Sequence, residues 1–267
     1  MYKCMKYLIL NTVISIEETV WDDIYLHKFS VMDKRDSEIE VKTFKESKSC
    51  GNIQVFSLKE WYFYLFRLGL DSIYVDCEKR RGDVVYPFIS QVTVQNLILQ
   101  LLYANIVKNY IVQFHASLVK IRENGLMFLG PSGIGKTTQA ELWNQYRDAL
   151  IINGDVVFVQ ETSDAFLGWG TPWHGSSPYC ENTSVPVKAL IVLKQAQENS
   201  IRELTGFEKV TAVSNNVFYP RWLEGGMELC LETLNHLLSA LPVYELSCRP
   251  DEEAVRLTEE AVFGGSA

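Results

Sequence analysis

The stretch Gly130-Pro131-Ser132-Gly133-Ile134-Gly135-Lys136-Thr137 meets the pattern G-x-x-x-x-G-K-[ST] at every fixed position. It constrains the fold because the pattern works only between a strand and a helix. Leu126-Met127-Phe128-Leu129 ahead of it reads as a short buried strand. Thr138 to Tyr146 behind it reads as a helix, with Ala140, Leu142 and Trp143 among polar residues. In that order, backbone N–H groups wrap a polyphosphate and the helix N-terminus adds a positive partial charge. A bound nucleoside triphosphate would lie against Gly130, Pro131, Ser132, Gly133, Ile134, Gly135, Lys136, Thr137 and Thr138. Lys136 is expected to reach the β- and γ-phosphates, and Thr137 to ligate Mg²⁺. The motif alone does not say what becomes of the phosphate.

Composition narrows the partners. The chain has 267 residues, 47% of them hydrophobic, and a formal net charge of −8. That length allows one large domain or two smaller ones with a substantial core. No basic stripe is present, which excludes a general nucleic-acid binder. The one basic cluster, Lys79-Arg80-Arg81, reads as a solvated loop. The six cysteines, Cys4, Cys50, Cys77, Cys180, Cys230 and Cys248, form no C-x-x-C pair. They read as reduced thiols in a cytoplasmic protein. No apolar run reaches the roughly 18 residues that span a bilayer, and no membrane partner is expected. Gly264 to Ala267 reads as a tail or added residues.

Residues 1 to about 90 hold strand-like runs between charged turns, such as Tyr7 to Leu10, Ile39 to Phe44 and Ile53 to Phe56. Asp33 to Asp36 and Lys45 to Asn52 read as turns or loops. This is a small, mostly β, N-terminal domain over 1–90, followed by a second domain over 91–263. Residues 93 to 109 read as an amphipathic helix, and Ile111 to Val119 as a strand. Asn124-Gly125 reads as a two-residue hairpin turn, so two antiparallel strands precede the glycine loop. Beyond the loop helix come strands at Leu150 to Ile152, Val156 to Val159, Ala189 to Leu193 and Ile201 to Leu204. The last third is helical. Met227, Cys230, Leu231, Leu234, Leu238 and Leu241 form one stripe, and a final helix starts at Pro250.

Phosphoryl transfer needs a carboxylate, to hold Mg²⁺ or to take the acceptor's proton. Asp155, at the end of a buried run, is the candidate for both roles; otherwise it is a residue of an Asn153-Gly154 hairpin turn. Glu161 and Asp164 read as loop residues. His115, mid-strand, is either a packed histidine or a contact to the γ-phosphate or acceptor. Gly168 to Gly175 holds Trp169, Trp173 and His174 among glycines and a proline. Such a loop suits substrate capture, or its Trp side chains cap the core. Arg249, at a strand-to-helix junction, is either a structural ion pair or a contact to an anionic substrate.

These blocks resemble a family. His115-Ala116-Ser117 on a strand, then Gly130 to Thr138, then Asp155 follow the order and spacing of the HPr kinase/phosphorylase catalytic domain. Gly170 to Gly175, Asn182 to Ala189 and Pro242 to Asp251 resemble a branch of HPr-kinase-like proteins, some of which phosphorylate a serine of ribosomal peptide precursors such as lasso peptides. The resemblance covers about residues 95 to 262. It implies an α/β fold, a P-loop kinase core of the HPr kinase/phosphoenolpyruvate carboxykinase type with a mixed sheet. It places His115, Lys136 and Asp155 at catalytic positions, with Asp155 as general base, and implies ATP and Mg²⁺. Where the family often has two consecutive acidic residues, this chain has Gly154-Asp155. The C-terminal helical region has no clear match to the hexamer-forming elements of HPr kinase, which counts against HPr as the substrate and leaves a homo-oligomer open. The expected activity is γ-phosphoryl transfer to a hydroxyl, a serine of a peptide or small protein. A small-molecule or carboxykinase-like phosphotransferase and a nucleotide-dependent binding module are the alternatives.

Overall fold

Strict alternation of side chains along the strands around the glycine loop decides the architecture there. Met127 and Leu129 face one side and Leu126 and Phe128 the other, and all four are fully buried. Such a sheet must carry helices on both faces. The computed structural model describes residues 4–17, 25–32, 34–44, 55–58, 61–64, 66–68, 71–76, 81–85, 91–221 and 223–264. The expected turn or loop residues 33 and 45–52, Ile53, Gln54, Lys79, Arg80, Cys50, Cys77 and residues 265–267 lie outside these. Among the described residues, no helix is long and apolar enough to cross a membrane, and Cys4, Cys180, Cys230 and Cys248 are not joined in disulfides.

The chain is mixed α/β, in two units: residues 1–108 with 220–227, and 109–219 with 228–267. The first unit holds β1 (Cys4–Ile9), β2 (Thr12–Glu17), β3 (Ile39–Phe44), β4 (Val55–Leu58), β5 (Trp61–Tyr64), β6 (Phe66–Leu68), β7 (Asp71–Asp76), β8 (Arg81–Val85) and helix α1 (Gln91–Ile106). Its strands run β1-β2-β3-β8-β7-β5-β4, with β6 beside β7. Leu10 and Asn11, both at positive φ, close the β1–β2 hairpin.

The second unit begins with β9 (Ile111–Ile121) and β10 (Asn124–Leu129), then α2 (Lys136–Arg147), β11 (Leu150–Asn153), β12 (Val156–Glu161), β13 (Phe166–Trp169), β14 (Ser184–Gln195) and β15 (Ser200–Leu204). It continues with α3 (Gly206–Ser214), β16 (Val217–Phe218), α4 (Gly226–Ala240), β17 (Val243–Cys248) and α5 (Glu252–Phe263). The strand order is β10-β9-β12-β13-β14-β17-β15, and β10 also pairs in parallel with β14, so five strands close on themselves. Residues of α2 and α5, including Ala140, Trp143, Ala254 and Val255, join Leu126 and Phe128 in one core. Residues of α3 and α4, including Val213, Cys230, Leu234 and Leu237, join Met127 and Leu129 in the other.

Three local expectations change. The β9–β10 turn is Arg122-Glu123, with Arg122 at φ 54, not Asn124-Gly125. Gly125 sits inside β10, where a Cβ would lie 2.7 Å from Val185 Cγ1. On α4, Leu231 is exposed and Leu237 takes the core position, because Leu234, Leu237 and Leu238 share the face toward the sheet. The last helix begins at Glu252, since the Asp251 carboxylate accepts the Ala254 N–H as its N-cap.

Trp143 is fully buried, and its indole Nε1 finds no acceptor. Trp143→Ala is expected to cost about 3–5 kcal/mol in denaturant unfolding through the cavity it leaves. Trp143→Phe should cost well under half of that, because it also removes the orphaned donor.

Candidate functional site

The glycine loop connects β10 to α2 as expected. Gly130, Gly133 and Gly135 stand at φ 144, 79 and 114, values that only glycine adopts without strain. The first turn of α2 leaves its N–H groups without helical partners, facing the loop's concave side. Lys136 is only 6% exposed. Its ammonium donates to the carbonyls of Gly130 at 3.0 Å and Pro131 at 3.2 Å, bridging the loop it leaves. Burial pushes the Lys136 pKa down, and the charge of Asp155 partly opposes this. Ser117 on β9 anchors the helix start, donating from Oγ to the Lys136 carbonyl at 2.9 Å.

Strand β9 carries the other half of the site. β12 pairs along Ile111 to His115 and β11 along Leu118 to Lys120, both antiparallel and in line on β9. Asn153-Gly154 is therefore no hairpin turn; the chain steps along a single partner strand. At the step the Asp155 carbonyl accepts the Ala116 N–H at 2.9 Å. This registers the Asp155 side chain beside His115, whose Nε2 lies 3.1 Å from Asp155 Oδ1. The Phe218 ring stands 6.2 Å from the His115 ring, tilted by 44°.

Asn153 holds the step open. It is fully buried. Its Oδ1 accepts the N–H groups of Asp155 at 2.8 Å and Val156 at 3.0 Å. Its Nδ2 donates to the carbonyls of Thr171 at 2.8 Å and Trp173 at 3.2 Å. One amide thus ties the Asp155 turn to the 170–174 loop. Asn216 does the same on the loop side: its Oδ1 accepts the Gly130 N–H at 2.8 Å, and its carbonyl accepts the His115 N–H at 2.9 Å. Neither asparagine stands out in the sequence as a site residue. Asn153-Gly154 carries the signature of a turn, and Asn216 has no local signal because its partners are distant in sequence.

The absence of a second acidic residue has a steric cause. A Cβ at Gly154 would lie 2.0 Å from Ser177 Oγ and 3.0 Å from Ser177 Cβ. The turn His174 to Ser177 fills that space. It is closed by Ser177 N–H and Ser177 Oγ to the His174 carbonyl, at 3.2 and 2.9 Å, and by a contact of His174 Nδ1 with the Ser177 carbonyl.

A cavity of about 250 Å³ gathers these pieces. His115, Asp155 and His174 line it together with Ser132, Gly133, Gly135, Lys136, Thr137 and Thr138 of the loop and helix start. Gly130, Pro131 and Ile134 face other sides. Trp173 is buried at 6% exposure outside the lining. Arg249 lines a separate cavity of about 340 Å³ on the other flank of the loop, with Ile134, Leu193 and Cys248. Its guanidinium contacts Asp251 at 3.0 Å and Glu253 at 3.4 Å. Glu161 ends β12 and meets His236 Nδ1 at 2.9 Å, away from the cavity.

Fold and site together define a mixed α/β protein with a glycine loop facing an acid–imidazole pair. No family model matches the chain, and no curated protein matches it. Among solved structures it is similar to the Hpr(Ser) kinase/phosphatase from Coxiella burnetii, at 12% identity and a TM-score of 0.34, over 57% of this chain and 93% of that one. That likeness is a distant one.

Asn153→Ala is expected to lower stability by about 1–3 kcal/mol, because four backbone partners lose their bonds, three of them buried. Asn153→Asp keeps the acceptor but turns a carboxylate toward the Thr171 and Trp173 carbonyls. Its carboxyl pKa would rise on folding, so the variant should be less destabilised at pH 4 than at pH 8 in thermal unfolding.

Proposed function

We propose that this protein is an ATP- and Mg²⁺-dependent kinase that transfers the γ-phosphoryl group to a hydroxyl, a serine of a peptide or small protein. One observation carries the reading: Ser132, Gly133, Gly135, Lys136, Thr137 and Thr138 of the loop and helix start and the His115–Asp155 pair line the same cavity. A triphosphate cradled by the loop would present its terminal phosphate to a paired carboxylate. The sequence blocks that resemble HPr-kinase-like proteins point the same way.

The roles follow from the geometry. Loop N–H groups and the Lys136 ammonium would bind the phosphates, with Lys136 exchanging its bonds to Gly130 and Pro131 for phosphate oxygens. His115, with a proton on Nε2, donates to Asp155 Oδ1 and fixes the carboxylate, leaving Oδ2 to take the proton of the attacking hydroxyl. Lys136 and the helix start would stabilise the charge that builds on the departing oxygen. Thr137 and Asp155 would hold Mg²⁺, hard oxygen donors on the rim of one cavity. Among the described residues no group of three or more His, Cys, Asp or Glu gathers around a metal position. Mg²⁺ bound there would supply charge neutralisation on the phosphates.

Ser132, Gly133 and Ser176 at the rim are exposed, so the mouth admits a hydroxyl carried on a larger molecule. The cavity at Ile134, Leu193 and Cys248 lies beyond the carboxyl ends of parallel β14 and β17, where the rest of a nucleotide can extend. The alternative of a binding module with weak catalysis draws on the glycine at 154, where a Cβ would meet Ser177.

Incubation with MgATP and serine-containing precursor peptides should give a phosphate-sized mass gain on the peptide. Asp155→Asn should slow transfer by about 10²–10⁴-fold with ATP binding kept, whereas Lys136→Ala should lose ATP binding. Undiminished transfer by the Asp155→Asn variant would sink the assignment.

A further inference from the structure

The cavity already contains a hydroxyl of the protein's own. Gly175 and Ser176 form the tip of the turn closed by His174 and Ser177. Gly175, at φ 62, is pressed against the carboxylate: a Cβ there would lie 2.8 Å from both Asp155 Cγ and Asp155 Oδ2. Oδ2 is the oxygen turned away from His115, which contacts Oδ1. The carboxylate oxygen free to take a proton therefore faces the turn. With consecutive Cα atoms 3.8 Å apart and a Cα–Cβ bond of about 1.5 Å, the Ser176 Cα lies within roughly 8 Å of the Asp155 carboxyl carbon.

The two serines of the turn differ in their commitments. Ser177 Oγ donates to the His174 carbonyl and packs against Gly154. Ser176 is exposed, lines the cavity beside Lys136, Thr137 and Asp155, and its hydroxyl makes no hydrogen bond among the described residues. The turn is also anchored at its base, since Asn153 holds the Trp173 carbonyl next to His174. A tethered hydroxyl at this range needs no bimolecular encounter and reacts at a high effective concentration.

We propose that Ser176 is an intramolecular phosphoryl acceptor, a self-modification site that the same catalytic groups serve. Ser176 Oγ attacks the γ-phosphorus of the bound nucleoside triphosphate. The bond from that phosphorus to the β–γ bridging oxygen breaks, and the nucleoside diphosphate leaves with the electron pair on that oxygen. The Oγ proton passes to Asp155 Oδ2. The turn stands where an external hydroxyl must approach Oδ2, so the self-modified form carries its new dianion at the mouth of the phosphate cavity and repels a further triphosphate.

This inference rests on the phosphoryl-transfer reading above, and the test separates the two. The full-length protein is incubated with MgATP, without added acceptor, over a wide range of protein concentration, and the product is mapped by tandem mass spectrometry. The expected result is one phosphate on Ser176, formed at a rate per molecule independent of protein concentration. Ser176→Ala should abolish the mark, Ser176→Thr should restore it, and Asp155→Asn should slow it by about 10²–10⁴-fold. A mark on a different residue, or a rate per molecule that rises with concentration, overturns the assignment. Peptide phosphorylation with Ser176 unmarked overturns this inference alone. ATP binding with transfer to neither acceptor overturns the kinase reading as well.

Discussion

Between residues 115 and 117 each edge of strand β9 has a gap in its regular pairing, at 116–117 on one edge and at 115 on the other. On one side β12 ends at His115 and β11 resumes at Leu118, leaving room for Gly154 and Asp155. On the other, β16 ends at Gln113 and Phe114 while β10 reaches only Ala116, and between them Asn216 takes the His115 N–H. Interrupted ladders leave N–H and C=O groups that must find other partners when buried. Here the substitutes are the Asp155 carbonyl for Ala116 and the Asn216 carbonyl for His115. The polar loops that satisfy β9 are thereby the loops that bear the site. The glycine loop and Asp155 converge on His115 because that is where the sheet opens.

Two asparagines convert that opening into a fixed geometry. Asn153 accepts two backbone N–H groups and donates to two carbonyls, all within hydrogen-bond distance. Asn216 joins the first residue of the glycine loop to β9 and, through Nδ2 to the Ala212 carbonyl at 3.0 Å, to α3. Both are at most 6% exposed. A buried amide with every partner made rigidifies its surroundings, and one left partly unmade is costly, so such networks admit few intermediate arrangements. The His115–Asp155 pair is positioned by polar groups that do not themselves line the cavity.

Much of this was legible in the residues. The glycine loop, its strand and its helix follow from a spacing whose physics is local, and so do β14 at Ala189 to Leu193 and the helical C-terminal region. What escaped was set by contacts distant in sequence. Asn153-Gly154 has the local character of a hairpin turn, yet β11 and β12 both pair with β9 rather than with each other, which no window around residue 154 can reveal. Gly154 looks like a missing carboxylate until Ser177, 23 positions on, is seen to fill the space above it. Arg249 reads in sequence as either a structural ion pair or a contact to an anion, and it is packing that brings Asp251 and Glu253 onto it at the cap of α5. Leu231 and Leu237 both suit the helical stripe, and only packing against the sheet selects the second.

Lys136 ties the energetics of the fold to ligand binding. Its ammonium is buried and, among the described residues, donates to two carbonyls of its own loop, and desolvation lowers its pKa. A lysine whose folded pKa lies below its unfolded value makes folding less favourable wherever both states are protonated. That cost is complete below the folded value and disappears as the pH rises through it toward the unfolded one. The Asp155 charge offsets part of it from across the cavity. A phosphate bound in the loop, as proposed above, would supply a counter-charge directly and offset that cost. The same burial that makes Lys136 costly in the fold would then strengthen each phosphate contact through the lower local dielectric.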